Sequence, residues 1–212
     1  MFPLFLNLTD RLVLVVGGGP VGRRTAAAAL AAGARVRLVC IKPRPADEAR
    51  PDLDWKTEPY VAAHLEGAVL AFAAATPAVN ARVVADARAR GILVNSASDP
   101  ESGDFFLPAV VRRGELVLAV STGGAAPVLA REIRRRLEEQ FDDDFGRWAR
   151  LLAELRPVVL ERVDDAERRR LLFERWSRWE WLDRLRHDGM DAVRAELLRE
   201  LSSAGDDPAA PL

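Results

Sequence analysis

The chain has 212 residues, 49% of them hydrophobic and 30% charged, with a formal net charge of -1. Those proportions fit a folded globular protein, exclude a disordered one, and give no electrostatic reason to expect nucleic acid or an acidic membrane as partner. The single cysteine, Cys40, excludes an intrachain disulfide and a cysteine-cluster metal site, and no metal held by the protein is expected.

No stretch has the length of a membrane span and the first residues lack a signal-peptide pattern, so the expected location is the cytoplasm. Arginine supplies all but two of the 31 basic residues. Its planar fork suits carboxylates, which keeps an acidic substrate in view.

In chain order, the first strand is expected over 12–16. It runs straight into Gly17-x-Gly19-x-x-Gly22 and an alanine-rich helix over 21–32, with Gly33 as its C-cap. This strand–turn–helix order is what a dinucleotide site requires. Gly17 allows the tight turn, Gly19 lets the backbone approach a pyrophosphate, and Gly22 lets the helix pack close to the strand. The free N–H groups at the helix start face the anion. The rival reading is a tight turn without ligand.

Further strands are expected over 36–41, weakly over 55–61, and over 69–74 and 92–95. A short helix is expected near 62–66 and a longer one over 79–90, closed by Gly91. Strands alternating with helices predict an α/β, Rossmann-like parallel sheet.

The pattern then changes. Residues 104–111 and 115–121 read as a hairpin around Arg112-Arg113-Gly114, followed by a helix over 127–140. From Asp142 the chain reads as three or so helices, punctuated by Pro157, with its tryptophans forming a small core. The tail from Ser202 reads as disordered.

Many NAD sites place an acid at the end of the second strand to hold the ribose. Here that strand runs into Cys40-Ile41-Lys42-Pro43 with no acid, and Asp47 and Glu48 read as solvated loop charges. Lys42 either helps to hold the ribose, where it would also tolerate a 2′-phosphate, or is an exposed loop charge. Thr76 ends a central strand at the carboxyl edge, as a cofactor contact or a plain strand end. Asn95-Ser-Ala-Ser98-Asp99-Pro100 ends the next strand there. Asp99 reads as an acid/base group or as the start of an Asp-Pro turn. Ser121, Thr122, Gly123 and Gly124 precede a helix, as an anion cradle or as ordinary capping. His64 and His187 read as surface or packing residues.

Four segments together resemble the bacterial precorrin-2 dehydrogenase family, the NAD-dependent module of siroheme synthases. They are Phe5-Leu-Asn-Leu-Thr-Asp-Arg11, Val16-Gly-Gly-Gly-Pro-Val-Gly-Arg23, Asn95 through Pro108, and Leu118-Ala-Val-Ser-Thr-Gly-Gly-Ala-Ala-Pro-Val-Leu-Ala-Arg131. The resemblance implies oxidation of precorrin-2 to sirohydrochlorin with NAD, and in some members insertion of ferrous iron. A cobaltous ion is the corresponding substrate for a cobalamin route.

It implies cofactor contacts at Pro20, Val21, Ile41 and Lys42, and a tetrapyrrole held near Asn95, Ser121 and the Thr122-Gly123-Gly124 turn. It also implies a homodimer. The expected division is a dinucleotide domain over 1–110, a dimerisation region over 111–144, a helical domain over 145–203 and a disordered tail over 204–212. The family's acid/base aspartate falls at Ser98, so Asp99 substitutes for it, or the proton goes to water, or one activity has been lost. The rival readings are a nucleotide-sensing regulatory module and an NAD(P) dehydrogenase for another small acid.

Overall fold

The computed structural model describes residues 2–46 and 50–206, with side chains up to residue 202. Asp47 and Glu48 lie outside the described residues. The chain divides into two units, Met1–Leu107 and Pro108–Leu212.

In the first unit five strands form one parallel sheet. They are β1 (Leu12–Val16), β2 (Arg35–Cys40), β3 (Leu53–Thr57), β4 (Ala68–Ala73) and β5 (Leu93–Ser96), in the order β3-β2-β1-β4-β5. Helix α1 (Pro20–Ala31) follows β1, and α2 (Pro77–Arg88) follows β4. Successive residues of a strand point to opposite faces, so each central strand feeds two cores. Val13, Val15, Val36, Leu38 and Phe72 meet Ala26, Ala29 and Leu30 of α1. Leu14, Val16, Val39 and Ala71 meet Val83, Val84 and Ala87 of α2. Burial on both faces explains why these strands read as unbroken apolar runs.

Strand order reverses between β1 and β4, and the crevice outside their carboxyl ends is where open α/β sheets take ligands. The third strand starts earlier than expected, at Leu53. Residues 104–108 do not extend a strand. Asp104 instead closes against β5, its N–H donating to Val94 O at 2.7 Å and its carboxylate accepting from Val94 N at 2.9 Å.

The second unit opens with an antiparallel pair, β6 (Ala109–Arg113) and β7 (Leu116–Val120). Arg113 and Leu116 are still paired, so the turn is Gly114-Glu115, one step beyond the expected position. Then come α3 (Pro127–Gln140), α4 (Asp143–Arg162), α5 (Ala166–Trp176), α6 (Trp179–Asp188) and α7 (Met190–Asp206). Arg113 donates to Glu138 O and Phe141 O, satisfying carbonyls at the end of α3 that have no helical partner.

Trp148, Trp176 and Trp181 share one core with Leu151, Leu155, Val159, Leu182 and Leu197, whereas Trp179 is 57% exposed. Pro157 does not break α4, because Leu155 and Val159 hold both sides of it in that core. The expected disorder from Ser202 is corrected: α7 continues to Asp206, and Leu201 still packs in the core. Residues 207–212 lie outside the described ones.

Arg184 of α6 makes a bidentate pair with Glu196 of α7, which holds the Glu196 carboxyl below the usual glutamate range. A lowered folded pKa gives stability that is present above the unfolded value, about 4.3, and lost as pH falls through the folded one. Acid titration followed by circular dichroism should therefore show helix loss below about pH 4, and Glu196→Gln should flatten that limb.

Candidate functional site

The crevice is lined first by the turn after β1, where the three motif glycines differ in what a side chain would meet. Gly17 has φ +120°, and a Cβ there would lie 2.2 Å from Ala74 O. Its N–H donates to Val39 O at 2.9 Å, so it is wedged between the ends of β2 and β4. A Cβ on Gly22 would lie 1.9 Å from Gly17 O. Around Gly19 a Cβ would meet nothing within 4 Å. Gly17 and Gly22 are therefore demanded by the fold, while Gly19 faces open space.

Gly19 is the N-cap of α1 and supplies no side-chain cap. Pro20 takes the first helical position, and the first turn carries no acid. The first intrahelical bond runs from Arg23 N to Gly19 O, which leaves the N–H groups of Val21 and Gly22 without helical acceptors. Open space beside an uncapped, acid-free helix start fits an anion such as a pyrophosphate.

Next along the edge is the loop after β2. Ile41 and Lys42 are exposed, Ile41 by 75%. The Lys42 carbonyl accepts from Cys40 Sγ at 3.2 Å and from Trp55 Nε1 at 3.1 Å. Cys40 is buried, and its sulfur also fills the space beneath Gly18, where a Cβ would come within 2.5 Å of it. Trp55 drew no attention in the sequence, and its role depends on the β2–β3 pairing.

The loops after β4 and β5 are joined by Asn80, which sequence reasoning missed. It is 1% exposed; its Oδ1 accepts from Ala75 N at 2.8 Å, and its Nδ2 donates to Ser98 Oγ at 2.8 Å. Thr76 caps α2 by position but not through its side chain. The available signal was an asparagine on the 80/83/84/87 stripe of α2, which is otherwise apolar and buried. Asn80→Ala leaves Ala75 N–H and Ser98 short of a partner and should cost about 1–3 kcal/mol in urea unfolding. A change below about 0.5 kcal/mol would show that the bridge contributes little.

Ser98 and Asp99 are both exposed at this edge. The Asp99 backbone is pinned, its N–H donating to Ser96 Oγ and its carbonyl accepting from Ser102. Its carboxylate makes no bond to the described residues, which leaves it available to a ligand. The Asn95 amide is already committed, donating to Phe105 O at 2.8 Å. Elements of the first unit thus gather Gly19, Lys42, Thr76, Ser98 and Asp99 along one sheet edge.

Ser121, Thr122, Gly123 and Gly124 belong to the second unit. Ser121 Oγ accepts from Gly123 N and Thr122 Oγ1 from Ala126 N, so both hydroxyls close their own turn. Gly123 and Gly124 have φ of 68° and 86°, a conformation suited to glycine.

His64 is buried, accepting from Val61 N and bonded to Glu58. Among the described residues no three His, Cys, Asp or Glu side chains cluster as a metal site, and no helix is long and apolar enough to cross a membrane.

The family described as putative NAD(P)-binding matches residues 4–109, and the one described as sirohaem biosynthesis protein central matches residues 113–140. The siroheme synthase of Chromobacterium violaceum is 41% identical over 212 residues, covering 98% of this chain and 45% of that protein. That of Azotobacter vinelandii is 39% identical with the same coverage. The chain thus spans less than half the length of these relatives. A solved structure named SirC, precorrin-2 dehydrogenase, superimposes with a TM-score of 0.76 at 27% identity, covering 96% of this chain and 100% of that one.

Proposed function

The chain belongs to the precorrin-2 dehydrogenase family, the NAD(P)-binding module of siroheme synthases, and from that premise we propose that it oxidises precorrin-2 to sirohydrochlorin with NAD. The observation that carries the reading is the open space at Gly19 beside the uncapped start of α1. Gly17, Gly19, Pro20, Val21 and Gly22 would hold the pyrophosphate, and Ile41, Lys42 and Thr76 would make the other cofactor contacts.

When bound, the coenzyme would supply the hydride acceptor, and oxidation of the ring would release one proton besides the hydride. Asp99, whose carboxylate is unengaged, receives that proton. Ser98 accepts a hydrogen bond from Asn80, so its own proton is free to bond a ligand. Extended conjugation in the product favours the reaction, and the protein's main task is to hold two ligands face to face and exclude water.

The proposal includes a homodimer formed through residues 111–144, a cytoplasmic location, and ferrous or cobaltous ion as a later substrate. Asn95 in the first unit and, separately, the turn of Ser121, Thr122, Gly123 and Gly124 in the second are the residues proposed to contact the tetrapyrrole.

An anaerobic absorbance assay with purified precorrin-2 tests the reading. Product should form only when NAD is present, and a chain that binds NAD yet leaves precorrin-2 unchanged would refute it. Asp99→Asn should lower turnover about 100-fold while NAD affinity holds. Undiminished turnover would send the proton directly to water.

A further inference from the structure

Asn80 joins the segment that backs the glycine turn to the loop that carries Ser98 and Asp99. The Ala74-Ala75 peptide packs against that turn. A Cβ on Gly17 would lie 2.2 Å from Ala74 O and 2.8 Å from Ala75 N, and Ala74 N donates to Val16 O at 2.8 Å. Ala75 N–H can only donate, so the Asn80 atom that it meets at 2.8 Å is Oδ1. The amide cannot be turned over, and the group that faces Ser98 Oγ at 2.8 Å is its NH2. Ser98 therefore accepts from Asn80, and its own proton is directed elsewhere. We propose that Asn80 is a positioning residue, which fixes Ser98 as a hydrogen-bond donor to an acceptor oxygen of a bound ligand. The inference rests on the function proposed above and gives its site a donor distinct from the acid/base group.

Two further observations support it. Asn80 is 1% exposed, whereas Ser98 is exposed, and no acceptor among the described residues takes the Ser98 hydroxyl proton. The Ser98 backbone is also held on both sides, Ala97 N donating to Ala73 O at 2.9 Å and Asp99 N to Ser96 Oγ at 3.3 Å. A donor fixed before the ligand arrives loses less entropy on binding it. A serine hydroxyl held in this way binds an oxygen and leaves proton uptake to a carboxylate such as Asp99. Substrate carboxylates and the carboxamide of the coenzyme share the acceptor chemistry, and separate binding measurements tell them apart.

Two variants of the whole chain test this. Ser98→Ala removes the donor at an exposed position. Asn80→Asp still accepts from Ala75 N but has no hydrogen for Ser98, which must then turn its own proton inward. Each should weaken NAD, read as Kd by calorimetry, or precorrin-2, read as KM, by about fivefold or more, with kcat within about twofold of wild type. A rise in Kd assigns the contact to the coenzyme, and a rise in KM alone assigns it to the substrate. The double variant should bind no worse than either single one, because both remove the same donor. Circular dichroism checks that both fold; if Asn80→Asp does not, Ser98→Ala decides by the same two constants. Ser98→Ala with Kd and KM unchanged would overturn the inference and leave the proposed function standing. So would losses that add in the double variant, or a loss confined to kcat. A wild-type chain that binds neither NAD nor precorrin-2 would overturn the proposed function itself.

Discussion

Gly19→Asp is expected to weaken dinucleotide binding severely while leaving the melting temperature unchanged or slightly raised. Nothing within 4 Å obstructs the new side chain, and Gly19 has φ -78°, an ordinary conformation for any residue. Aspartate is also among the better N-cap residues and gains a few tenths of a kcal/mol over glycine there. The carboxylate would then occupy the position of the pyrophosphate, with the same sign of charge, and accept the very N–H groups that the anion needs. A loss of about 100-fold in affinity, about 2.7 kcal/mol, is expected by calorimetry.

Gly22→Ala is the opposite case. Its Cβ would sit 1.9 Å from Gly17 O, a backbone atom that cannot turn aside. A cost of about 3 kcal/mol and a fall of roughly 5–10 °C in melting temperature should follow. If the two variants melted alike, the glycines would not divide into one for the ligand and others for the fold.

This division was only partly legible in the sequence. The spacing of Gly17, Gly19 and Gly22 gave the turn, since local backbone geometry is written in local residues. The strands over 12–16 and 69–74 were equally plain, because burial on both faces leaves an unbroken apolar run. Asn80 and Trp55 were not seen. Each acts on a loop far from it in sequence, Asn80 on Ala75 and Ser98, Trp55 on Lys42, and only the strand pairing brings those groups together. The expected strand over 104–111 held only from Ala109, for a related reason. Asp104 closes beside β5 through both its N–H and its carboxylate, and those contacts outweigh the β-propensity of the residues after it.

The proline and the tail were misread in the helical unit because propensity was weighed without the core. Pro157 costs α4 one hydrogen bond, but Leu155 and Val159, buried on either side, hold the helix on course. Serines at 202 and 203 and Gly205 are poor helix formers, yet α7 runs on to Asp206.

That core should respond most strongly to Trp176→Ala. Trp176 is fully buried at the end of α5, and its Nε1 donates to Glu200 of α7 at 3.0 Å. Removing the ring leaves a cavity among Leu, Val and aromatic side chains and should cost about 3–5 kcal/mol. In a chain of this length that corresponds to a fall of roughly 10 °C or more, read by circular dichroism at the helical band.

Trp176→Phe separates the two contributions. It restores most of the volume and forfeits only the bond to Glu200, whose carboxylate keeps its pair with Arg175 at 2.9 Å. A loss of about 1.5 kcal/mol is expected for that variant. Equal losses in the two variants would assign the stability to the hydrogen bond instead, and with it the hold of α5 on α7.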